Sequence, residues 1–337
     1  MSFNQKLIKS SSKYTGSDED MITYLESLWS SHENYKINNH NFSTKTKNIN
    51  FNRFKINLIK MSDNLVFRGN FGAYNDKLEK ELSLNRKSIV LTKDSCKLLY
   101  NCFNDLFRFN QIRSSLFHQI KNAEIFIKHK KNDTNEPSNF RFLSNHHKLF
   151  KIIDKFWTNN LILVLKNNNC LPDKNIVKNN FDREFNISIK DLALDKLKVF
   201  HSNKKIVMID LQKAFDNVSW KTLESLLKSN LTRKIGDVTA NKFVEQYMFL
   251  NTQRVIKYNN STVKHKKSIA TGLPSSTITF SLIIEELIFQ WLEKENCKDD
   301  LSINTYVDDM FLEFFKNDRI EYLVKSLFDF LEKYNFK

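Results

Sequence analysis

Apolar residues at regular spacing alternate along this chain with polar segments rich in Asn and Lys. Residues 122–132, NAEIFIKHKKN, predict a strand followed by a basic turn, and residues 140–166 predict a short strand and a long helix. Residues 204–215, KKIVMIDLQKAF, contain the continuous apolar run typical of a buried strand, and this run ends at Asp210. This succession of strand and helix patterns predicts a chain of the α+β class.

The rest of the pattern predicts further helices and two hairpins. Apolar residues at helical spacing predict helices over residues 19–32, 95–120, 216–230, 278–296 and 318–336. Residues 254–274 predict a hairpin with the turn NNS, and residues 301–315, LSINTYVDDMFLEFF, predict a hairpin with Asp308 and Asp309 at its turn. We therefore expect a small mixed sheet with flanking helices.

Two N-terminal segments lack such patterns. Residues 1–18 are polar and rich in Ser and Lys, a composition that predicts disorder. Residues 33–60 are rich in Asn and Lys, and this composition leaves open whether they fold.

The charge balance favours an acidic partner. The chain has 337 residues, with 53 Lys and Arg against 38 Asp and Glu, which gives a net charge of +15. Such an excess is typical of proteins that bind nucleic acid or another anionic surface. An AT-rich coding sequence would enrich Lys and Asn in the same way, so the charge alone leaves both explanations open.

Cysteine usage and hydropathy indicate an intracellular protein, of the nucleus or the cytoplasm. The four cysteines form neither a CxxC motif nor a Cys/His pair at zinc spacing, so we expect neither a disulfide framework nor a structural zinc site. The apolar run NNLILVL is much shorter than the roughly 18 residues that a membrane helix needs. The start of the chain lacks the apolar core of a signal peptide. No membrane partner is expected.

Three carboxylates carry the candidate chemistry. Asp210 ends one predicted strand, and Asp308 and Asp309 lie at the turn between two others. If these strands are neighbours, the carboxylates converge and repel one another unless a cation lies between them. Mg²⁺ prefers such oxygen ligands, and two ions roughly 4 Å apart catalyse phosphoryl transfer. The alternative is that the Asp pair forms only a polar turn.

The motifs around these residues resemble reverse transcriptases. MIDLQKAFDNVSW (208–220) is similar to their polymerase motif A, and YVDD (306–309) is similar to motif C. Residues 271–287, TGLPSSTITFSLIIEEL, occupy the place of motif B, and residues 124–155 resemble the fingers motifs 1 and 2. The tripeptide AFD and the insert DTNEPSN resemble the corresponding segments of retrotransposons without long terminal repeats more than those of retroviruses.

The resemblance implies a right-hand polymerase with fingers and palm, built on a small antiparallel palm sheet. It implies two Mg²⁺ ions, with Mn²⁺ as an alternative, held by Asp210, Leu211, Asp308 and Asp309. The three aspartates would be the catalytic residues. Phe215 falls at the steric gate, an aromatic ring that excludes the 2′-hydroxyl of ribonucleotides. By itself Phe215 would more often be a core residue, since the chain has 29 Phe, and the neighbouring Asp216 is a candidate helix cap.

The resemblance also implies a set of nucleotide-binding residues. Arg141 matches the fingers arginine that contacts the incoming triphosphate. Lys130 is the preferred match for the fingers lysine, with Lys128 and Lys131 as alternatives. The remaining implied contacts with nucleotide or primer are Gly272, Pro274, Ser275, Tyr306 and Val307. Without the motif order, a single Lys or Arg is usually a solvated surface charge.

The chain departs from the family pattern in two places. In motif B, Ser275 stands where the family has glutamine and Ser276 where it has glycine, so we expect lower catalytic efficiency. The chain ends at KYNFK, within the region of motif D, so we expect the thumb to be missing. The expected regions are a polar, partly disordered N-terminal region with a short helix (1–84), fingers with a helical lead-in (85–200) and palm (201–337).

Three functions remain open on the sequence. The first is an RNA-directed DNA polymerase of a retroelement, whose partners are an RNA template, a DNA primer and deoxyribonucleoside triphosphates. The second is a viral RNA-directed RNA polymerase, although those enzymes usually carry GDD and no aromatic gate. The third is an inactive relic that binds RNA, with an affinity that falls steeply as salt rises.

Overall fold

The computed structural model describes residues 13–31, 35, 100–106, 112–113, 115–130, 132–171, 205–306, 308–316 and 318–336. The unassigned segment 33–60 lies outside the described residues except for Tyr35, and so do residues 1–12 of the segment predicted to be disordered. Residues 13–17 of that segment are described, and there the Thr15 N–H donates to the Thr134 carbonyl over 3.1 Å. The chain divides into two compact units, each described here by itself.

The first unit contains Met1–Ser27, Asn38–Phe156 and Arg254–Lys264. Its described elements include α1 (Asp18–Leu28), α2 (Ser115–Ile120), β1 (Ala123–His129), a short 3-10 helix (Pro137–Asn139), β2 (Phe140–His146), the start of α3 (Lys148–Asn167), β4 (Ile256–Tyr258) and β5 (Ser261–Val263). The strands form one sheet in the order β2-β1-β4-β5, in which β4 runs parallel to β1 and the other pairs are antiparallel. The β4–β5 hairpin confirms the prediction for residues 254–274.

Helix α1 begins at a capping bond and packs against this sheet. The Asp20 N–H donates to Ser17 Oγ over 3.1 Å, which satisfies a free N–H group of the first turn. Met21 and Leu25 are fully buried, as their helical spacing predicts. The Tyr24 ring lies 5.8 Å from the ring of Phe142 in β2. The N-terminal helix is therefore part of the first unit's core.

The second unit contains Leu28–Ile37, Trp157–Gln253 and His265–Lys337. Its described elements are the rest of α3, β3 (Lys205–Asp210), α4 (Ala214–Asn217), α5 (Trp220–Ile235), α6 (Asp237–Asn251), α7 (Pro274–Glu295), β6 (Leu301–Tyr306), β7 (Asp309–Phe314) and α8 (Ile320–Glu332). The strands form an antiparallel sheet in the order β3-β7-β6. The hairpin predicted for residues 301–315 is confirmed, and two sheets replace the single mixed sheet that the pattern predicted.

The prediction that β3 is a buried strand is wrong. Of its six residues only Ile209 is buried, and Met208 is 52% exposed. The reason is its position in the sheet, because β3 lies at one edge and pairs only with β7 among the described strands. A continuous apolar run therefore marks the strand correctly but overstates how much of it is covered.

Helix α7 forms the centre of the second unit. It is 22 residues long, and 16 of them are buried, including the carboxylates of Glu285 and Glu286. These carboxylates form ion pairs with α5, over 2.9 Å to Lys234 and 2.8 Å to Arg233. Pairing of this kind is what makes buried carboxylates tolerable.

Helix α6 was not predicted. It follows α5 after the single residue Gly236, whose φ of 78° ends one helix and permits the next to begin. No helix in the described part of the chain combines the length and apolarity needed to cross a membrane.

Candidate active site

The β3–β7 pair brings the predicted acidic residues together. In its register, Asp210 at the end of β3 lies directly opposite Asp309 at the start of β7. Beyond this pair, the Leu211 N–H donates to the Asp308 carbonyl over 3.0 Å. Directly opposite residues of an antiparallel pair project from the same face of the sheet. The backbone therefore places two like charges side by side, with Asp308 next to them.

The burial of the neighbouring residues fixes the acidic residues in this place. Met310 to Phe314 in β7 are all buried, while Asp308 and Asp309 are half-buried and Asp210 is exposed. The apolar strand thus ends where the charges begin. Tyr306 pairs with Asp309 through the backbone on the other side of β7.

The donor set fits a hard divalent cation. Carboxylate oxygens are the ligands that Mg²⁺ prefers, and the Leu211 carbonyl would be a further oxygen next to them. The Leu211 side chain is only 2% exposed, so a ligand from this residue would have to be its backbone. In the described part of the chain, no three His, Cys, Asp or Glu side chains are grouped as a preformed metal site. The backbone assembles the residues, and their side chains would turn to complete the ligand set.

The predicted steric gate, Phe215, lies on α4 and is half-buried. Its ring stacks on Phe280 of α7, with centroids 4.6 Å apart and an interplanar angle of 24°. Its carbonyl accepts from the Ile269 N–H over 2.9 Å. Phe280 is fully buried, so the ring against which Phe215 rests is itself fixed. The core alternative for Phe215 is thus partly correct, because one face of the ring packs and part of it remains accessible.

The motif B residues occupy the turn that begins α7. Gly272 is exposed and has a φ of 87°, a backbone conformation that favours glycine. Pro274 is the first residue of α7, where its missing N–H costs nothing. Ser275 is fully buried, and the buried Ser276 donates from Oγ to the Ala270 carbonyl. The structure therefore does not bring Ser275 to an exposed surface.

The first unit carries a basic counterpart of the acidic pair. In the β1–β2 register Lys128 lies directly opposite Arg141, and both are exposed. Lys130 follows the end of β1, where its N–H donates to the Asn139 carbonyl over 2.8 Å. Lys131 lies outside the described residues. The residue that shares a sheet face with Arg141 is thus Lys128, a pairing that the alternation of strand residues could have indicated.

Asp216 does not cap the helix that follows. The N-cap of α5 is Ser219, whose Oγ accepts from the Thr222 N–H over 3.1 Å. Asp216 instead accepts a hydrogen bond from Trp29 Nε1 over 2.9 Å. Sequence reasoning missed Trp29, because 187 positions separate it from Asp216.

Comparison with known proteins identifies the family. A family model described as reverse transcriptase (RNA-dependent DNA polymerase) matches residues 128–337, more than half of the chain. No curated protein sequence matches the chain.

Solved polymerase structures are similar over part of their length. An apo telomerase from Candida tropicalis, truncated from its C-terminal domain, is 16% identical over 66% of this chain and 49% of its own, with a TM-score of 0.44. The RNA-dependent RNA polymerase of a human picorbirnavirus is 12% identical over 64% of this chain and 39% of its own, with a TM-score of 0.44. This chain thus spans less than half of either protein.

The α+β class and an antiparallel sheet with flanking helices are confirmed. Residues 128–337 contain the basic pair, the acidic pair, Phe215 and the motif B turn. The chain belongs to the reverse transcriptase (RNA-dependent DNA polymerase) family.

Proposed function

We propose that this chain is the polymerase region of an RNA-directed DNA polymerase that extends a DNA primer on an RNA template. The observation that carries the proposal is the register that sets Asp210 opposite Asp309 with Asp308 adjacent, inside the segment matched by the family model. A polar turn without catalytic function would not need a third carboxylate on the neighbouring strand. The AFD and DTNEPSN segments favour a retroelement without long terminal repeats as its source.

Asp210, Asp308, Asp309 and the carbonyl of Leu211 would hold two Mg²⁺ ions. Bound there, the ions would activate the primer hydroxyl and stabilise the leaving oxygen of the triphosphate. The contribution of the chain is to hold the backbone of these residues together at the ends of paired strands, so that only side-chain rotations would be needed to complete the ligand set. Tyr306, which ends β6 shortly before the two aspartates, would lie against the primer end, and Val307 lies outside the described residues.

The basic pair of the first unit would bind the triphosphate. Arg141 can offer two parallel N–H donors to phosphate oxygens, and Lys128 adds a second positive charge on the same sheet face. An anion between them would remove the repulsion that their positions impose. Lys130, at the end of β1, would contribute a longer-range attraction. This assigns the fingers lysine to Lys128 in preference to Lys130.

Phe215 would select the sugar. Its ring is held against Phe280, so it cannot move aside for a 2′-hydroxyl without breaking that stack. Gly272 and Pro274 would shape the turn near the nucleotide. The buried Ser275 would support this turn from within, with no reach equivalent to that of the glutamine in the family pattern.

The proposed functional regions keep the bounds predicted from the sequence, except that the β4–β5 hairpin is added to the fingers. Residues 85–200 would form the fingers with their lead-in and residues 201–337 the palm. The β4–β5 hairpin would join the fingers, because it completes the sheet that contains β1 and β2.

Primer extension on an RNA template in Mg²⁺ tests the proposal, with deoxyribonucleotides or ribonucleotides offered separately. We expect extension with deoxyribonucleotides only, and its loss in Asp308→Asn. Extension with ribonucleotides would indicate an RNA polymerase and contradict the role of Phe215. Binding of RNA without extension by the wild-type chain would favour an inactive relic.

A further inference from the structure

The buried tryptophan that follows α1, Trp29, belongs to the second unit and contacts the motif A segment of that unit. Trp29 is only 3% exposed, and its Nε1 donates to Asp216 Oδ1 over 2.9 Å. Its carbonyl accepts from the Lys266 N–H over 3.1 Å. Asp216 directly follows the gate residue Phe215, whereas Trp29 lies well before the residues 128–337 that the family model matches.

An aromatic cluster holds Trp29 in this position. The rings of Trp29 and Trp220 each meet His265 edge-on, with centroids 5.3 Å and 5.1 Å away. The His265 Nε2 lies 2.7 Å from Ser268 Oγ, and Trp220 Nε1 donates to the Ser268 carbonyl over 3.2 Å. The indole of Trp29 therefore has a defined orientation, and its single donor points at the Asp216 carboxylate.

The same cluster lies beside the helix that carries the gate. The Ser268 N–H donates to the Val218 carbonyl and the Ile269 N–H donates to the Phe215 carbonyl, each over 2.9 Å. Helix α4 has four residues and no side-chain cap, too short to hold its own orientation. Its position depends on tertiary contacts, which include the backbone bonds from Ser268 and Ile269, the Phe215–Phe280 stack and the Trp29–Asp216 bond.

We propose that Trp29 is a positioning residue for sugar selection: by holding Asp216, it fixes the orientation of α4 and with it the Phe215 ring. The inference rests on the proposed function and adds to it a residue that the sequence motifs do not include. A charge-assisted hydrogen bond to a carboxylate is one of the stronger single contacts in a protein. Its loss would let α4 rotate and let the gate open toward a 2′-hydroxyl.

Trp29→Phe is the test, because it removes the donor and keeps a ring against His265. The readout is the ratio of kcat/KM for a ribonucleotide to that for the matching deoxyribonucleotide. We expect this ratio to rise about tenfold, the effect of losing one charge-assisted hydrogen bond. Asp216→Ala should raise it similarly, and Asp216→Asn, which keeps an acceptor oxygen but loses the charge, should raise it less.

Trp291→Phe is the matched control. Trp291 is a fully buried tryptophan of the same unit whose Nε1 donates to Ser326 Oγ over 3.2 Å. Its substitution should lower thermal stability without changing the selectivity ratio. In the Phe215→Ala background, Trp29→Phe should have no further effect on selectivity. An unchanged ratio in folded Trp29→Phe, an equal shift in Trp291→Phe, or an additive effect with Phe215→Ala would overturn the inference.

Failure of the proposed function gives a different result. A wild-type chain that extends no primer contradicts the proposed function. The inference is then decided by competition between dATP and ATP for equilibrium binding, measured without primer. Trp29→Phe should reduce the preference for dATP, and equal preference in wild type and variant would overturn the inference.

Discussion

Each of the two units contains an antiparallel strand pair that sets like charges directly opposite each other. In the first unit the charges are positive, Lys128 and Arg141, and in the second they are negative, Asp210 and Asp309. Like charges at directly opposite positions destabilise a sheet. The sign of each pair indicates the ligand that would remove this cost, an anion in the first unit and a cation in the second.

The two pairs differ in how easily they tolerate the absence of a ligand. Lys and Arg have long flexible side chains, so the exposed charges of Lys128 and Arg141 can separate into solvent. The Asp side chain is short, and Asp309 is half-buried beside the equally half-buried Asp308. The carboxylates cannot move apart by a comparable distance. Removing the cation or a ligand of the cation should therefore have the larger effect.

Asp210→Asn should have the largest effect. It keeps the size of the side chain and removes one metal ligand, so primer extension should fall about 10³-fold, the effect of losing several kcal/mol of transition-state stabilisation. Asp299→Asn, which neutralises an exposed carboxylate of the same unit, should retain activity. Equal activity of the Asp210 and Asp299 variants would remove the acidic pair from the mechanism.

Arg141→Ala should have the next largest effect. Loss of a charged donor to phosphate should raise KM for the nucleotide about 10- to 100-fold, while kcat changes less. Arg141→Lys should recover only part of this affinity, because lysine lacks the planar pair of donors. Steady-state kinetics with primer–template held saturating would measure both values. A loss confined to kcat would show that Arg141 does not contribute to ground-state binding of the triphosphate.

The repulsion between Asp210 and Asp309, and its relief by a cation, can also be tested without catalysis. Saturating Mg²⁺ should stabilise the wild-type fold by about 2 kcal/mol, the linkage expected at some tens of times Kd. In Asp210→Asn this stabilisation should largely disappear. Without metal, the variant should be at least as stable as wild type, since one of two opposed charges is gone. Thermal unfolding with EDTA or Mg²⁺ measures both effects, and a variant less stable than wild type in EDTA would contradict the repulsion.

Local patterns were sufficient to predict the elements that carry the acidic residues. The apolar run before Asp210 and the hairpin around Asp308 and Asp309 are each patterns of neighbouring residues, and both predicted elements are present. The edge position of β3 was not predictable in this way, because it depends on which strands pair with it. The parallel pairing of β4 with β1 and the Trp29–Asp216 bond also join distant parts of the chain. Periodicity contains no information on such contacts.

Which of Lys128 and Lys130 contacts the triphosphate is a smaller question, and we expect the smallest change in activity from substituting either residue. The motif resemblance favours Lys130, whereas the register places Lys128 opposite Arg141. Lys128→Ala should raise KM for the nucleotide about tenfold and Lys130→Ala less than about threefold, because a hydrogen-bonded charge contributes more than an exposed charge at a distance. Each variant is the matched control of the other, since both remove one exposed lysine from the same hairpin.

Extra salt should reduce the effect of Lys130→Ala on KM further, because distant charges are screened within roughly 10 Å. The reverse order of the two KM values would assign the phosphate contact to Lys130 and show that the strand end, rather than the cross-strand pair, meets the triphosphate.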